Sequence, residues 1–214
     1  TMTGNLTLGS TSTSQPILQM LSSTSGSNTI HFGDAASGAD SYKGYINYAH
    51  NTDQIQFAVN GAVRQIIDSS GRVTTPSQPA FHVGVNANQT LSNGSIVVFQ
   101  QQFTNIGSHY NTSNGIFTVP SGQGGKYYVT YGTRLTNWNY SILSTYVDDG
   151  ADGFLRFEDG DTDGDNNTIS NSGIVSLSAG ATINVKIFQT GGGTVQIRAN
   201  QENTWFGAFK LIGV

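Results

Sequence analysis

The chain has 214 residues, no cysteine and a formal net charge of −4, and only 10% of its residues are charged, against roughly 25% in an average soluble domain. The absence of cysteine excludes disulfides and zinc–thiolate sites, and the lack of Lys/Arg clusters argues against nucleic acid or anionic membrane as partners. No apolar run approaches the roughly 20 residues of a membrane span, so no membrane insertion is expected.

The first 28 residues are rich in serine and threonine and poor in apolar side chains. Their main apolar residues are Leu6, Leu8, Ile17, Leu18 and Leu21. So little apolar surface cannot offset the entropy that is lost when a backbone is ordered. We therefore expect residues 1–28 to be ordered only by pairing with a neighbour.

Residues 29–75 have the pattern of a short β-meander. Apolar and polar side chains alternate strictly over residues 54–59, which is typical of a strand. Asn60 and Gly61 follow directly, and this pair is the strongest two-residue hairpin signal because both positions tolerate positive φ. Residues 62–67 form the predicted return strand of a module with a thin core.

Strand signals recur regularly after a linker that is predicted at residues 76–79, where prolines block both helix and central strand. Turn signals every 8–12 residues are typical of a β-sandwich, and no window shows helical periodicity over ten residues. The predicted strands are Phe81–Val85, Ile96–Phe103, Gly115–Val119, Lys126–Leu135, Ile142–Asp148, Ile174–Leu177, Thr182–Gln189, Thr194–Ala199 and Trp205–Ile212, with residues 154–158 as a further candidate.

The strand near residue 129 is apolar or aromatic on both faces. Tyr127, Val129 and Tyr131 share one face, and Tyr128 and Thr130 share the other. One face of a strand in a two-sheet sandwich packs on the core, so the other face needs a partner. This pattern predicts association with further chains.

The same region resembles the globular head of complement component C1q and the tumour-necrosis-factor-like jelly rolls. The residues that match this family's pattern are Phe103, Tyr110, Asn111, Gly115, Phe117, Pro120, Gly125, Tyr127, Val129, Tyr131, Phe206, Gly207, Phe209 and Leu211. The chain departs from the pattern by lacking cysteine, by having Val129 in place of an aromatic residue, and in an insertion-like region at 149–172. The resemblance implies a homotrimer of ten-stranded jelly rolls over residues 80–214, with Tyr127, Val129, Tyr131 and Phe209 at the trimer interface.

A second resemblance covers residues 42–73, which are similar to a module of bacteriophage tail fibres and tailspikes. The matching positions are Gly44, Ile46, Tyr48, His50, Asp53, Ile55, Phe57, Asn60, Gly61, Arg64, Ile67, Asp68, Gly71 and Val73. The start of the chain resembles a fibre shaft. Together these resemblances imply an all-β virion protein with a shaft-like segment at 1–28, a β-rich neck at 29–75, a linker and a jelly-roll head. Its implied partners are sister chains, the rest of the fibre and a host surface receptor, either a glycan or an envelope protein, met outside the cell.

An acidic segment at 158–165 carries alternating aspartates separated by glycine. Flexible loops of this kind bring several oxygens to a hard cation, so calcium is a candidate ligand of Asp159, Asp161, Asp163 and Asp165. The segment is not a full EF-hand, because Ser170 stands where a bidentate glutamate is expected. The alternative is a solvated loop that keeps the head soluble.

Polar turns with aromatic residues are candidates for receptor contact at the end of the head farthest from the linker. We assign to that end the turns at 136–141, 178–181 and 200–204, by counting alternating strand directions. An exposed aromatic ring beside amides can stack on a sugar and bind its hydroxyls. The predicted contact residues are Asn137, Trp138, Asn139, Tyr140, Gln201, Glu202 and Asn203. Alternatively, Trp138 covers the end of the sandwich or packs at the trimer interface.

No catalytic motif is complete, so an enzyme is not expected. The four histidines are scattered, and His50 is expected to form a structural hydrogen bond with Asp53 or a neighbouring chain. The glycine-rich stretches lack the spacing of a phosphate loop, and there is no nucleophile elbow. Two alternatives to the fibre tip remain open. One is a secreted or surface C1q-like adhesion or signalling module, and the other is a polysaccharide depolymerase that uses paired carboxylates of the acidic segment.

Overall fold

The computed structural model describes residues 16–138, 142–150, 153–159, 164–199 and 203–213. Over these residues it has strands and two short 3-10 segments, Ala39–Tyr42 and Ile106–Ser108, and it contains no α-helix, which confirms the all-β prediction. In this described part, no helix has the length and apolar character needed to cross a bilayer. The chain divides into unit 1, Thr1–Pro76, and unit 2, Ser77–Val214.

Unit 1 contains one antiparallel sheet of five strands in the order β1-β2-β3-β4-β5. The predicted hairpin is present, because Asn60 and Gly61 have φ values of 53° and 70° between β3 and β4. The bounds of the strands are β1 Ser27–Phe32, β2 Gly44–Ala49, β3 Gln54–Val59, β4 Ala62–Ile67 and β5 Val73–Thr74.

The two faces of this sheet differ in chemistry. Register places Ile30, Ile46 and Phe57 side by side on one face, which we call the apolar face of unit 1. The opposite face carries Thr29 and Asn47 in the same strands and is largely polar. Alternation of side chains along each strand produces this separation.

Unit 2 is a sandwich of two antiparallel sheets. Sheet one follows the order β7-β16-β11-β17-β6-β8, with β14 paired to β11, and sheet two follows β13-β12-β15-β10-β9. The strand bounds are β6 Ala80–Gly84, β7 Gln89–Leu91, β8 Gln101–Asn105, β9 Tyr110–Asn111, β10 Ile116–Thr118, β11 Gly125–Trp138, β12 Ile142–Asp148, β13 Phe154–Asp159, β14 Gly164–Leu177, β15 Thr182–Thr190, β16 Val195–Ile197 and β17 Trp205–Gly213. The chain passes from one sheet to the other at β8–β9, β10–β11, β11–β12, β13–β14, β14–β15 and β15–β16, and such repeated crossing is typical of a jelly roll.

The core lies between these two sheets and is rich in aromatic rings. Phe81 stacks on Phe117 with ring centroids 4.7 Å apart and meets the edge of Phe206 at 4.9 Å. The buried Tyr110 hydroxyl accepts a hydrogen bond from the backbone N–H of Phe99 at 3.1 Å. Burial raises the pKa of Tyr110 well above its ordinary value of 10.0, because the charged form would lose its hydration.

Two strands differ from the sequence prediction. The predicted Ile174–Leu177 is the last part of β14, which begins at Gly164 and pairs along the whole of β11. The predicted Ile96–Phe103 is divided into an isolated bridge from Ile96 to Lys186 and the strand β8. Residues 164–171 are too polar to show a strand pattern in the sequence. They form a strand because their backbone pairs with β11.

The two ends of the sandwich are defined by register. Gly125 pairs with both Leu177 and Gly213, and the N–H of Lys210 donates to the carbonyl of Pro79, so this is the linker end. At the opposite, distal end, Trp138 pairs with Gly164. The turn at 178–181 follows Leu177 and therefore lies at the linker end. Its predicted distal position is wrong, because β14 spans the full sandwich and moves the next turn to the other end.

Candidate functional site

The outward side of sheet one carries a patch that we call the outer apolar face, formed by Phe103, Tyr128, Ile174, Trp205 and Phe209. Tyr128 pairs with Ile174 on one neighbouring strand and with Phe209 on the other. The Tyr128 and Phe209 rings are 5.3 Å apart at their centroids. Ile174 is 65% exposed and Phe209 is 47% exposed. Apolar side chains from three adjacent strands thus form one contiguous exposed row.

Glycine shapes the distal part of this face. Gly132 lies in β11 opposite Trp205, and a Cβ at position 132 would overlap the indole ring. The indole Nε1 lies 3.5 Å from Thr130 Oγ1. The absence of a side chain at Gly132 therefore lets Trp205 lie against the sheet.

Three of the four predicted interface residues belong to the core of their own chain. Tyr127, Val129 and Tyr131 are fully buried within the single chain, and the Tyr131 hydroxyl donates to the Thr145 carbonyl at 2.6 Å. A side chain that is covered in its own chain presents no surface to another, so their placement at an interface is wrong. Phe209 lies on the outer apolar face.

The base of the distal loop at 198–204 is held by a compact set of hydrogen bonds. The Arg198 N–H donates to the Arg134 carbonyl at 2.9 Å, and the Arg134 N–H donates to Thr204 Oγ1 at 3.1 Å. Thr204 Oγ1 in turn donates to the Arg198 carbonyl at 3.0 Å, and Thr204 is fully buried. This closed set fixes where the loop leaves the sandwich.

The predicted receptor contacts fall partly outside the described residues. Asn139, Tyr140, Gln201 and Glu202 lie there, and for Asn137 and Trp138 only the backbone at the end of β11 is described. Asn203 is half-buried beside Thr204. The strand ends bring the 138–142 and 198–204 connections to the same distal end, because Gly132 pairs with Trp205 and Leu135 pairs with Ile197. Side-chain contacts among the seven residues stay a prediction.

The calcium hypothesis also stays a prediction. Asp161 and Asp163 lie outside the described residues, while Asp159 ends β13 and Asp165 pairs with Thr136 near the start of β14. Within the described ranges, no group of three or more histidines and acids is placed to hold a metal ion.

Sheet two carries an ion pair that the sequence pattern did not indicate. The Lys186 Nζ lies 2.8 Å from Asp148 Oδ2, and this contact raises the pKa of the lysine. The Asn184 amide also approaches Asp148 Oδ2, at 3.4 Å. Asp148 lies in β12 and the other two residues lie in β15, and Asn184 is 36 positions from Asp148 in the sequence. Only strand pairing brings the three residues together.

In unit 1, His50 bonds to a different residue from the one predicted. Its Nε2 lies 2.6 Å from Asn28 Oδ1, whereas Asp53 Oδ1 accepts the Tyr48 hydroxyl at 3.0 Å. That hydrogen bond to a carboxylate raises the pKa of Tyr48. The expected His50–Asp53 bond is therefore wrong, because the His50 ring bonds to Asn28 of β1, and a contact of His50 with a neighbouring chain stays a prediction.

A family match and one solved structure agree with the jelly-roll fold. A family model described as the C1q domain matches residues 80–211. An Eiger TNF structure from S. frugiperda has a TM-score of 0.53 and 14% identity, and the match covers 64% of this chain and 95% of that chain. The globular domain of the zebrafish complement 1qA protein has a TM-score of 0.49 and 17% identity over 64% and 99% of the two chains. Murine APRIL has a TM-score of 0.49 and 18% identity over 63% and 99%. No curated protein matches the sequence.

Proposed function

We propose, from the premise that this chain belongs to the C1q domain family, that it is a non-enzymatic homotrimer that binds a cell surface through the distal end of its head. More specifically, the chain is the tip of a bacteriophage tail fibre, and its ligand is a host glycan or envelope protein. The similarity of residues 42–73 to fibre modules supports this role.

The outer apolar face is the main observation that supports a trimer. Single exposed apolar residues are ordinary, but contiguous exposed apolar patches mark association sites. Ile174, Tyr128 and Phe209 form such a patch on adjacent strands, and the face carries Trp205 and Phe103 as well. Burial of this surface by sister chains stabilises the trimer by about 25 cal/mol per Å² of apolar surface removed from water.

The apolar face of unit 1 supports the same assembly. Its residues Ile30, Phe32 and Val59 are 42%, 57% and 63% exposed, and the described part of unit 1 contains one sheet without a second layer to cover them. Three tethered copies provide that layer at high effective concentration. We therefore assign the apolar face of unit 1 to contacts between sister chains.

The connections at 138–142 and 198–204, which we call the distal loops, are the proposed contact with the receptor. The described residues on either side of them, Trp138 and Thr204, lie at the end of the sandwich opposite the linker, and loops on rigid scaffolds commonly carry binding residues. Three copies on one axis convert weak individual contacts into avidity when receptors are dense. Stacking by Trp138 and Tyr140, with amide hydrogen bonds from Asn137, Asn139 and Asn203, gives binding without a strong charge contribution.

Competition for adsorption tests this function. The purified chain, with its mass checked first by light scattering, should slow adsorption of the parent phage to its host cells. We expect the Trp138→Ala/Tyr140→Ala variant to be about 30-fold less effective, because an aromatic anchor contributes about 2 kcal/mol to binding. The matched control is Thr118→Ala/Thr182→Ala, a cross-strand pair exposed on sheet two.

Three results would contradict the proposal. Full competition by an intact Trp138→Ala/Tyr140→Ala trimer would move the receptor site to the flanks or to the grooves between chains. Absence of the chain from purified virions would favour the secreted or surface adhesion module instead. Release of reducing sugar from host polysaccharide by the chain would favour the depolymerase.

A further inference from the structure

The polar face of unit 1 contains a shallow pocket with a volume of about 220 Å³. It is lined by the side chains of Thr29, His31, Tyr42, Tyr45, Asn47 and Gln56. At about 30 Å³ per water molecule, it has room for roughly seven waters. That volume suits one small ring rather than an extended ligand, since pockets for drug-sized ligands begin at about 300 Å³.

Three rings form one side of the pocket. The His31 ring centroid lies 5.9 Å from that of Tyr42 and 6.3 Å from that of Tyr45, with interplanar angles of 49° and 60°. The rings are tilted rather than stacked, so they do not cover one another's faces. Tyr42 is 41% exposed. A ligand with an apolar face can therefore pack on these rings.

The floor of the pocket is a chain of hydrogen bonds across three strands. Thr29 Oγ1 donates to Asn47 Oδ1 at 2.7 Å, and Asn47 Nδ2 donates to Gln56 Oε1 at 3.3 Å. Because these hydrogen bonds run from Thr29 to Asn47 to Gln56, they fix the orientation of both side-chain amides. The Gln56 Nε2 donors have no partner among the described residues. Oriented amides of this kind present hydrogen-bond donors and acceptors at fixed positions.

The loop at 33–43, between β1 and β2, positions Tyr42 at the pocket. The Asp34 N–H donates to the Asp40 carbonyl at 3.1 Å, and the Lys43 Nζ lies 2.8 Å from Asp40 Oδ1. Gly33 packs against the backbone of Ser41 so closely that a Cβ at position 33 would overlap it. Contacts of the loop itself therefore place Tyr42, and the pocket exists before a ligand arrives.

None of the six lining residues is an acid, a lysine or an arginine, so the pocket offers no fixed countercharge to an ionic ligand. Ring faces beside oriented amides and hydroxyls match a molecule with one face of C–H groups and a rim of hydroxyls. We propose that unit 1 binds a neutral hexopyranose in this pocket. The site is separate from the distal loops of the head and goes beyond the function proposed for them.

Titration of the full chain with single sugars tests the site. The probes are methyl β-D-galactopyranoside and methyl β-D-glucopyranoside, with N-acetylneuraminic acid as the anionic comparison. We expect at least one neutral glycoside to shift the His31 ring protons in NMR spectra, with a Kd in the millimolar range that is usual for a single small contact. The anionic sugar should bind more weakly.

Matched variants locate the binding. Tyr42→Ala should weaken it by about tenfold, and Tyr42→Phe should restore most of that loss, since the ring face supplies the contact. Gln56→Ala should weaken it by about fivefold. Gln54 lies two residues earlier on the same face of β3 but does not line the pocket, so Gln54→Ala should leave the Kd unchanged.

Two outcomes would overturn the site. One is the absence of any saturable shift at His31 with either neutral glycoside. The other is an equal loss of binding in the Gln54→Ala and Gln56→Ala chains. Trp138→Ala/Tyr140→Ala should not change this titration, so failure at the pocket and failure at the distal loops give different results.

Discussion

At the scale of single residues, the buried tyrosines link the stability of the head to pH. The hydroxyl of Tyr110 is enclosed by the core, and the hydroxyl of Tyr127 donates to the Gln123 carbonyl at 2.7 Å. Burial raises the pKa of Tyr127 to about 12 and that of Tyr110 further. Ionisation of either residue therefore destabilises the folded head.

We expect the melting temperature to fall with increasing pH above about pH 10, where tyrosines of the unfolded chain begin to ionise. The folded state retains the proton that the unfolded state loses, so the contribution of these tyrosines to stability is constant below this pH and decreases above it. Tyr110→Phe should reduce the slope, which is at most about 1.4 kcal/mol per pH unit for one group. Thermal unfolding followed by circular dichroism across this range checks the prediction.

The same substitution has a cost at neutral pH. Tyr110→Phe leaves the buried N–H of Phe99 without its acceptor, which should lower stability by about 1–3 kcal/mol. Equal slopes for the wild type and the variant at alkaline pH would show that Tyr110 does not control the transition.

At the scale of strands, the sequence predicts alternation well but not orientation. The Asn60-Gly61 hairpin and the flanking strands follow from local turn chemistry, since both residues adopt positive φ. Tyr127 and Tyr128 are chemically alike, however, and a shift of one residue exchanges the two faces of a strand. Only the packing of sheet two over Tyr127, Val129 and Tyr131 shows which face is the core.

Long-range pairing is the second limit at this scale. The strand β14 begins in a polar stretch that has no strand signal of its own, and it forms because β11 provides a continuous edge. The ion pair between Asp148 and Lys186 also depends on pairing between β12 and β15. Local sequence patterns indicate neither the pairing of β14 with β11 nor this ion pair.

A double-mutant cycle tests the close contact between β11 and β17. Gly132→Ala should destabilise the head by about 1–3 kcal/mol, because the added methyl group displaces the Trp205 ring. The cost should be smaller in a Trp205→Phe background, which lacks the benzo ring that the methyl group meets. Denaturant unfolding of the four chains measures the coupling. Additive costs would mean that Trp205 does not lie on Gly132.

At the scale of the whole molecule, the outer apolar face predicts the oligomeric state. The wild-type chain should have three times the 22.7 kDa mass of one chain in light scattering at micromolar concentration. Ile174→Asp should yield smaller species, because association would bury an unpaired charge. The side chain is 65% exposed in one chain, so the substitution leaves the core intact.

The control places the same charge on the other sheet. Thr182 is exposed on β15, and Thr182→Asp should leave the trimer unchanged. A wild-type chain that is folded, soluble and monomeric at neutral pH would contradict the proposed trimer. Dissociation by both aspartate variants would show a general effect of charge rather than a contact at Ile174.

The candidate sites also show what sequence can supply. Polar turns with aromatic residues were identifiable, but the end of the head on which a turn lies depends on the length of every preceding strand, as the turn at 178–181 shows. The pocket of unit 1 gave no local signal, because Thr29, Asn47 and Gln56 come from three separate strands.

The single crossing between the units has a consequence for how such proteins diversify. Each described sheet draws its strands from one unit, and the chain passes from one unit to the other only once, between Pro76 and Ser77. Genetic recombination between these two codons would transfer a complete head, with every strand partner, from one parent to another. A lineage can therefore acquire a different head in one event, while the module before the junction is inherited without change.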